Sequence, residues 1–338
     1  MHLNFKVNKY ILLTGAGFTK NFGGFLAKEM WESIFNYLDE TDNPNLRELL
    51  RNDFDYESVY YKIVERNEFN KNEKEKNEKE AITKAVFSAY KNLDDKIKNY
   101  YFLERKQPVS IAAVKKFIDR FNGIPENTGR NDTKGFFFTL NQDLLIERYL
   151  PSSNMPALYV NQPTVEIYKD KEYEENTCSR ILPLQTDLEK TNGLSSSKYF
   201  YVKLHGSMNW YSSDRTKKLV IGRNKIKQIN EEPVLKNYFE LFKKALSTQD
   251  IRLFMIGYGF GDEHVNEVIA DSIKQDNLNL FVLNSTVPEA FKSDLCKKPS
   301  GQMIWDGISK YYPYSLEQVF SDDETNEYKR IRKDFFGN

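Results

Sequence analysis

The chain has 338 residues, 49 of them basic and 49 acidic, so its formal net charge is zero. With 40% hydrophobic and 14% aromatic residues it holds ample material for a packed core of about two domain units, which excludes a disordered chain. The charge balance argues against direct nucleic-acid binding, because counterion release needs clustered surplus Lys and Arg.

In chain order, the first apolar run, Tyr10-Ile11-Leu12-Leu13, reads as a buried strand ending in Thr14-Gly15-Ala16-Gly17-Phe18-Thr19. After Gly23-Gly24, the residues Leu26, Met30, Trp31, Ile34, Phe35 and Leu38 recur at helical spacing. Strand, glycine loop and helix form the opening unit of a nucleotide-binding α/β fold. From 40 to 131 the pattern turns helical. Ile82, Val86, Phe87, Tyr90, Leu93 and Ile97 mark one face, and Ile111, Val114, Phe117, Ile118 and Phe121 mark another. The charged run Lys71 to Glu80 reads as a solvated face or loop. We expect an all-helical insertion over 40–131, set into a Rossmann-like core formed by 1–39 and 132–338.

Four further strands follow. Phe136–Thr139 leads into Leu140-Asn141-Gln142-Asp143, and Tyr199–Leu204 delivers His205-Gly206. Leu253–Ile256 delivers Gly257-Tyr258-Gly259-Phe260-Gly261, with Asp262 as a helix N-cap. Leu280–Leu283 delivers Asn284-Ser285-Thr286. The stretch Pro151 to Ser197 shows little periodicity. Five buried strands, each ending in a polar or glycine-containing cluster, predict a parallel sheet whose clusters converge on one crevice outside the carboxyl ends.

Scarce residues narrow the chemistry. Only two cysteines, Cys178 and Cys296, and three histidines, His2, His205 and His264, are present. A disulfide framework, a cysteine zinc site and a histidine-rich metal centre are not expected, and a catalytic histidine must be one of these three. No run reaches about 18 apolar residues, and the start Met1 to Lys9 lacks a signal peptide's apolar core. That predicts a soluble, cytoplasmic chain without a membrane partner.

Singly, the clusters are ambiguous. Gly15-Ala16-Gly17 lets a backbone approach a phosphate but serves a tight turn equally well, and Lys20 stands where a fingerprint's third glycine would fall. The lack of Gly-Lys-Ser/Thr disfavours a P-loop nucleotidase. Asn141 is as readily a turn residue and Asp143 a helix cap. His205 is a candidate base or a satisfied structural histidine.

In their order, however, Gly15-Ala16-Gly17, Thr139-Leu-Asn141-Gln-Asp143, His205-Gly206, Gly257 to Gly261 and Asn284 resemble the sirtuin superfamily. The resemblance covers the core and excludes the insertion and 151–197. Two isolated cysteines cannot build that family's four-cysteine zinc ribbon, Leu140 replaces the signature's Gln, and the Gly-Ile-Pro-Asp-Phe-Arg stretch is missing. Gly123-Ile-Pro125 lies far downstream and looks coincidental. Gly257-Tyr-Gly-Phe-Gly-Asp262-Glu-His264-Val-Asn266 is similar to Gly-Tyr-Ser-Phe-Gly-Asp-Glu-His-Ile-Asn of prokaryotic sirtuin-like NADases. Those are anti-phage, abortive-infection effectors, some working with a HerA-type ATPase.

This resemblance implies an NAD+ glycohydrolase with NAD+ as substrate and no resident metal, assembled as a homo-oligomer or with a HerA-type partner. It implies Asn141 orienting the nicotinamide ribose and attacking water, His205 as general base, and Asp143 at the nicotinamide amide. Gly15, Ala16, Gly17 and Thr19 would cradle the pyrophosphate, with Phe18, Thr139, Gly257, Tyr258 and Gly259 also at the dinucleotide. Asn284 and Ser285 would meet the adenosine ribose. His264 sits in a helix's first turn, where the dipole discourages protonation, which favours a structural or interface role. His2 is expected to play no part. The alternatives are an NAD- or ADP-ribose-binding regulatory subunit without turnover, and a zinc-free deacylase. A nuclease would have only scattered carboxylates such as Asp55 and Glu57.

Overall fold

In the computed structural model, residues 6–69, 72–100, 107–122, 133–149, 179–190, 199–214 and 217–337 are described. His2, Cys178, Gly123-Ile-Pro125 and most of the unpatterned 151–197 stretch lie outside them. The strands in chain order are β1 (Lys6–Thr14), β2 (Thr133–Thr139), β3 (Arg180–Ile181), β4 (Tyr199–Lys203), β5 (Gly206–Tyr211), β6 (Lys217–Leu219), β7 (Arg252–Ile256), β8 (Asn279–Leu283) and β9 (Ile308–Tyr312).

Six of these form one sheet in the order β4-β2-β1-β7-β8-β9, with every neighbouring pair parallel. Parallel strands need helices on both faces, so their side chains are buried in both directions. Phe136, Phe137 and Phe138 in β2 are all fully buried, as are Ile11, Leu12 and Leu13 in β1. This is the α/β, Rossmann-like core that the apolar runs predict. The chain leaves β1 for β2 and β4 on one side and returns to β7, β8 and β9 on the other. The order therefore reverses between β1 and β7, at the switch point where such sheets open a crevice. A second small sheet has the order β3-β5-β6.

The sixth strand, β9, is absent from the sequence reading. Ile308-Ser-Lys-Tyr-Tyr312 lies at the sheet edge with Ser309 and Lys310 exposed, so it has no apolar run to betray it.

The helical spacing after Gly24 is realised as the helix Ala27–Glu40, which buries Met30, Ile34 and Leu38. Described residues between 40 and 122 form helices at Pro44–Asn52, Tyr56–Phe69, Glu73–Lys98 and Ile111–Asp119. The charged run begins the long helix, with Asn72 accepting from the Glu75 backbone N–H at 2.9 Å. Leu46, Val59, Ile82, Val86 and Phe117 belong to one buried apolar cluster with the sheet. At the far end, the last helix, Asn326–Phe336, presses Phe335 and Phe336 against Tyr10 at 5.4 and 5.2 Å between ring centroids. No described helix is long and apolar enough to cross a membrane.

One ion pair ties the long helix to the strand ends. Arg148, on the short helix Leu145–Tyr149 after β2, meets Asp94 through two N–H donors, Nε at 2.7 Å. The Asp94 side chain is only 7% exposed. Removing one partner leaves the other charge buried, which typically costs about 3–5 kcal/mol. Asp94→Ala is therefore expected to lower the urea-unfolding free energy by about that amount. A loss under about 1 kcal/mol would show that the pair does not couple these elements.

Candidate functional site

The carboxyl ends of all six sheet strands open onto one cavity of about 560 Å³, a size typical of small-ligand sites. β1 contributes Gly15, Ala16 and Gly17; β2, Leu140 to Asp143; β4, His205; and β7, Gly257 to Gly259. β8 contributes Asn284 and Ser285, and β9 contributes Tyr314 to Leu316. The separate clusters thus converge in space as the strand pattern predicts.

The glycines permit two backbones to cross. Gly15 N–H donates to Ile256 O and Gly17 N–H to Gly257 O, both at 3.0 Å. A Cβ on Gly257 would stand 2.1 Å from the Phe18 nitrogen, and φ there is +64°. A Cβ on Gly15 would lie 2.8 Å from the Gly257 oxygen. Gly15 and Gly17 are therefore required by this close approach, whatever else their amides bind. The helix they open, Ala16–Lys20, is only five residues long.

Asn141 is fixed by its amide nitrogen, which donates to Gly15 O at 3.0 Å and Thr19 Oγ1 at 2.7 Å. A carbonyl only accepts, so this contact sets the amide's orientation. No partner for Asn141 Oδ1 is found among the described residues, and the side chain lines the cavity. Thr139 Oγ1 accepts from Asn141 N at 3.1 Å and from Thr14 Oγ1 at 2.9 Å. Phe18, Thr19 and Thr139 are buried beneath the cavity instead of on its wall, so their service is to hold the loops. Asp143 does line it, while its Oδ1 accepts the Leu145 N–H at 3.0 Å. The cap reading therefore describes its present bond. Burial raises this carboxyl despite the nearby Lys203 ammonium.

His205 is presented by the sharp turn between β4 and β5, where Gly206 has φ +81°. Its carbonyl accepts from Val220 N–H at 3.0 Å and Gln142 Nε2 at 2.9 Å, so its backbone is pinned on two sides. Its Nε2 lies 3.1 Å from Nε2 of His264 and 3.9 Å from Asp262 Oδ1. Burial, opposed by the Asp262 carboxylate, pushes the His205 imidazole down to about 3. His264 is brought to about 4 in the same way. Both rings are thus neutral near pH 7, and one N–H lies between them.

Asp262 occupies the predicted N-cap position of the helix Glu263–Asp276, yet its side chain caps nothing. It faces Lys225 at 2.8 Å, and Lys225 also meets Glu57 at 2.9 Å. Burial opposes the Asp262 charge, but His205 and Lys225 outweigh it and hold the carboxyl at about 2. Burial likewise opposes the Lys225 charge, and Glu57 and Asp262 outweigh that, raising the ammonium. Lys225 opens the helix Lys225–Glu231.

Of the remaining expected contacts, Gly257, Tyr258 and Gly259 line the cavity, and the Tyr258 hydroxyl donates to Asn266 Oδ1 at 2.8 Å. Asn284 and Ser285 line it as well, Asn284 Oδ1 accepting the Thr286 N–H at 2.9 Å. Sequence reasoning did not single out the lining residues that the helical stretch supplies, Tyr56, Glu57, Tyr90 and Leu93. It also missed Lys225 and Gln142, whose buried amide accepts from the Tyr90 hydroxyl. Glu57 enters the sequence reading only as a scattered carboxylate.

Residues 135–298 match the family model described as SIR2-like domain. The match supports a sirtuin-like family, which includes NAD-dependent enzymes. It spans β2 to β8; β1 with its glycine turn lies before it and β9 after it. No curated protein matches the chain.

Proposed function

From the premise of a SIR2-like domain, we propose that the cavity binds NAD+ and hydrolyses its nicotinamide–ribose bond, releasing nicotinamide and ADP-ribose. The observation that carries this reading is the pair Asn141 and His205 on one cavity wall. One is an amide anchored by its nitrogen with its oxygen left for a ligand, and the other is a buried neutral imidazole. A neutral imidazole can take a proton; an imidazolium cannot.

In the proposed reaction the C1′–N bond breaks with its electron pair leaving on nicotinamide, and water adds to the oxocarbenium-like carbon. Asn141 Oδ1 orients the ribose or the water by accepting a hydrogen bond, and His205 receives the proton that the water loses. Asp143 borders the nicotinamide subsite, while Asn284 and Ser285 border the adenosine ribose. No step requires a metal. We further propose that NAD+ depletion serves anti-phage defence in the cytoplasm, in a homo-oligomer or together with a HerA-type ATPase.

Incubating the purified protein with NAD+, alone and with candidate partners, and following nicotinamide and ADP-ribose tests this directly. Equimolar release of both is the expected result. Binding without cleavage under every condition would favour a regulatory subunit, and consumption of an acyl-lysine peptide in step with NAD+ would favour a deacylase.

A further inference from the structure

Two of the chain's three histidines, far apart in sequence, meet beside a carboxylate at the cavity wall. One donor atom from each of His205, Asp262 and His264 lies within 4.8 Å of the others. The two imidazole nitrogens are 3.1 Å apart, and Asp262 Oδ1 is 3.9 Å from His205 Nε2. Around a tetrahedral zinc ion with bonds of about 2.0–2.2 Å, neighbouring ligand atoms sit roughly 3.3–3.6 Å apart. The 3.1 and 3.9 Å spacings differ from that by a few tenths of an ångström, and the third pair lies within 4.8 Å.

We infer that His205, Asp262 and His264 form a binding site for one zinc-class divalent ion, and that the bound ion shuts off the cavity's chemistry. The inhibitory half rests on the reading of His205 as the base; the binding half stands without it.

Charge and donor chemistry both fit. Two imidazoles and one carboxylate suit zinc or cobalt and do not suit magnesium or calcium, which prefer all-oxygen shells. Lys225 competes for Asp262, but it has a second anion in Glu57 at 2.9 Å. It can therefore keep an ion pair while Asp262 turns to the metal. The single N–H between the two rings moves to Nδ1 of its own ring, so both Nε2 lone pairs become available without net proton release. The ligands come from rigid places: His205 from a turn pinned by Gln142 and Val220, and His264 from a helix with its ring against Phe239 at 5.4 Å. Three protein ligands leave a fourth position for water from the cavity. Coordination would occupy the lone pair of His205, which then has none to offer a proton at that nitrogen.

The test uses the full chain carrying Cys178→Ser and Cys296→Ser, so that thiols take no part, after EDTA treatment and dialysis. Titration with zinc, followed by elemental analysis of the gel-filtered protein, should give one equivalent bound. Cobalt(II) should give the visible absorption of a tetrahedral site. Asp262→Asn and His264→Ala should each weaken zinc binding by more than the roughly 10- to 100-fold typical of losing a supporting residue. Lys225→Met should tighten it. Binding unchanged in the His264 variant, or no stoichiometric binding at all, overturns the site. In parallel, zinc should suppress nicotinamide release by the otherwise unaltered chain and EDTA should restore it. One equivalent bound with undiminished release overturns the inhibitory half. A chain that releases no nicotinamide at all refutes the hydrolase reading, and the titration still decides the metal site.

Discussion

Alanine in place of His205 is expected to lower nicotinamide release by about 100- to 10,000-fold, the usual contribution of a general base. That corresponds to about 3–5 kcal/mol of barrier. NAD+ binding should change far less, because the imidazole acts on the proton and not on the dinucleotide's phosphates. The fall should therefore appear in kcat, with KM nearly constant. Asn141→Ala should behave differently. Its amide nitrogen also bonds Gly15 O and Thr19 Oγ1, so its loss loosens the glycine turn. KM should rise as kcat falls. Steady-state kinetics on the two variants, with thermal unfolding as a check on folding, separate these outcomes. Release that survives both substitutions would sink the site assignment.

Gly257→Val should abolish cooperative folding. Its φ of +64° already disfavours a side chain, by roughly 1–2 kcal/mol. The decisive factor is contact: the new Cβ would lie 2.1 Å from Phe18 N and 2.4 Å from Gly17 C. Those are backbone atoms of the β1 turn, which cannot rotate away. Separating the two strand-end loops would break Gly17 N–H to Gly257 O and part β1 from β7 at the sheet centre. Against a total stability of about 5–15 kcal/mol, little would remain. Gly259→Ala is the control two residues on, where nothing lies within 4 Å of the added methyl. It should fold with a change of about 1 kcal/mol or less. Soluble yield and denaturant unfolding of the pair check the argument. A well-folded Gly257→Val protein would refute it.

The central strands were legible because burial on both faces leaves uninterrupted apolar runs, as in Phe136-Phe137-Phe138. Their convergence followed from a rule about carboxyl ends and needed no knowledge of contacts. β9 escaped because the exposed Ser309 and Lys310 break its apolar run, so the stretch reads as loop. The site divides in the same way. Asn141 and His205 stand directly after apolar strands, which made them candidates, and the resemblance supplied their expected roles. Glu57 and Lys225 open helices in stretches full of other charges, and nothing local distinguishes them from solvated residues. His264 shows the limit of local argument most clearly. Its place in a helix's first turn speaks against protonation, although it is burial that holds the ring neutral. But that place says nothing of what the ring touches, and its contact with His205 depends on how the Gly257–Asp262 loop folds back.

The cavity's lining begins at Gly15 and ends at Leu316, so its walls are drawn from nearly the whole polypeptide. During translation, the strand-end loop bearing Asn141 emerges long before the edge strand β9 and Tyr314 just after it. A nascent chain thus holds Asn141 and His205 without a finished chamber around them. Under the proposed hydrolase reading, this ordering would act as a safeguard. Copies terminated before Tyr314 are expected to lack that part of the cavity wall.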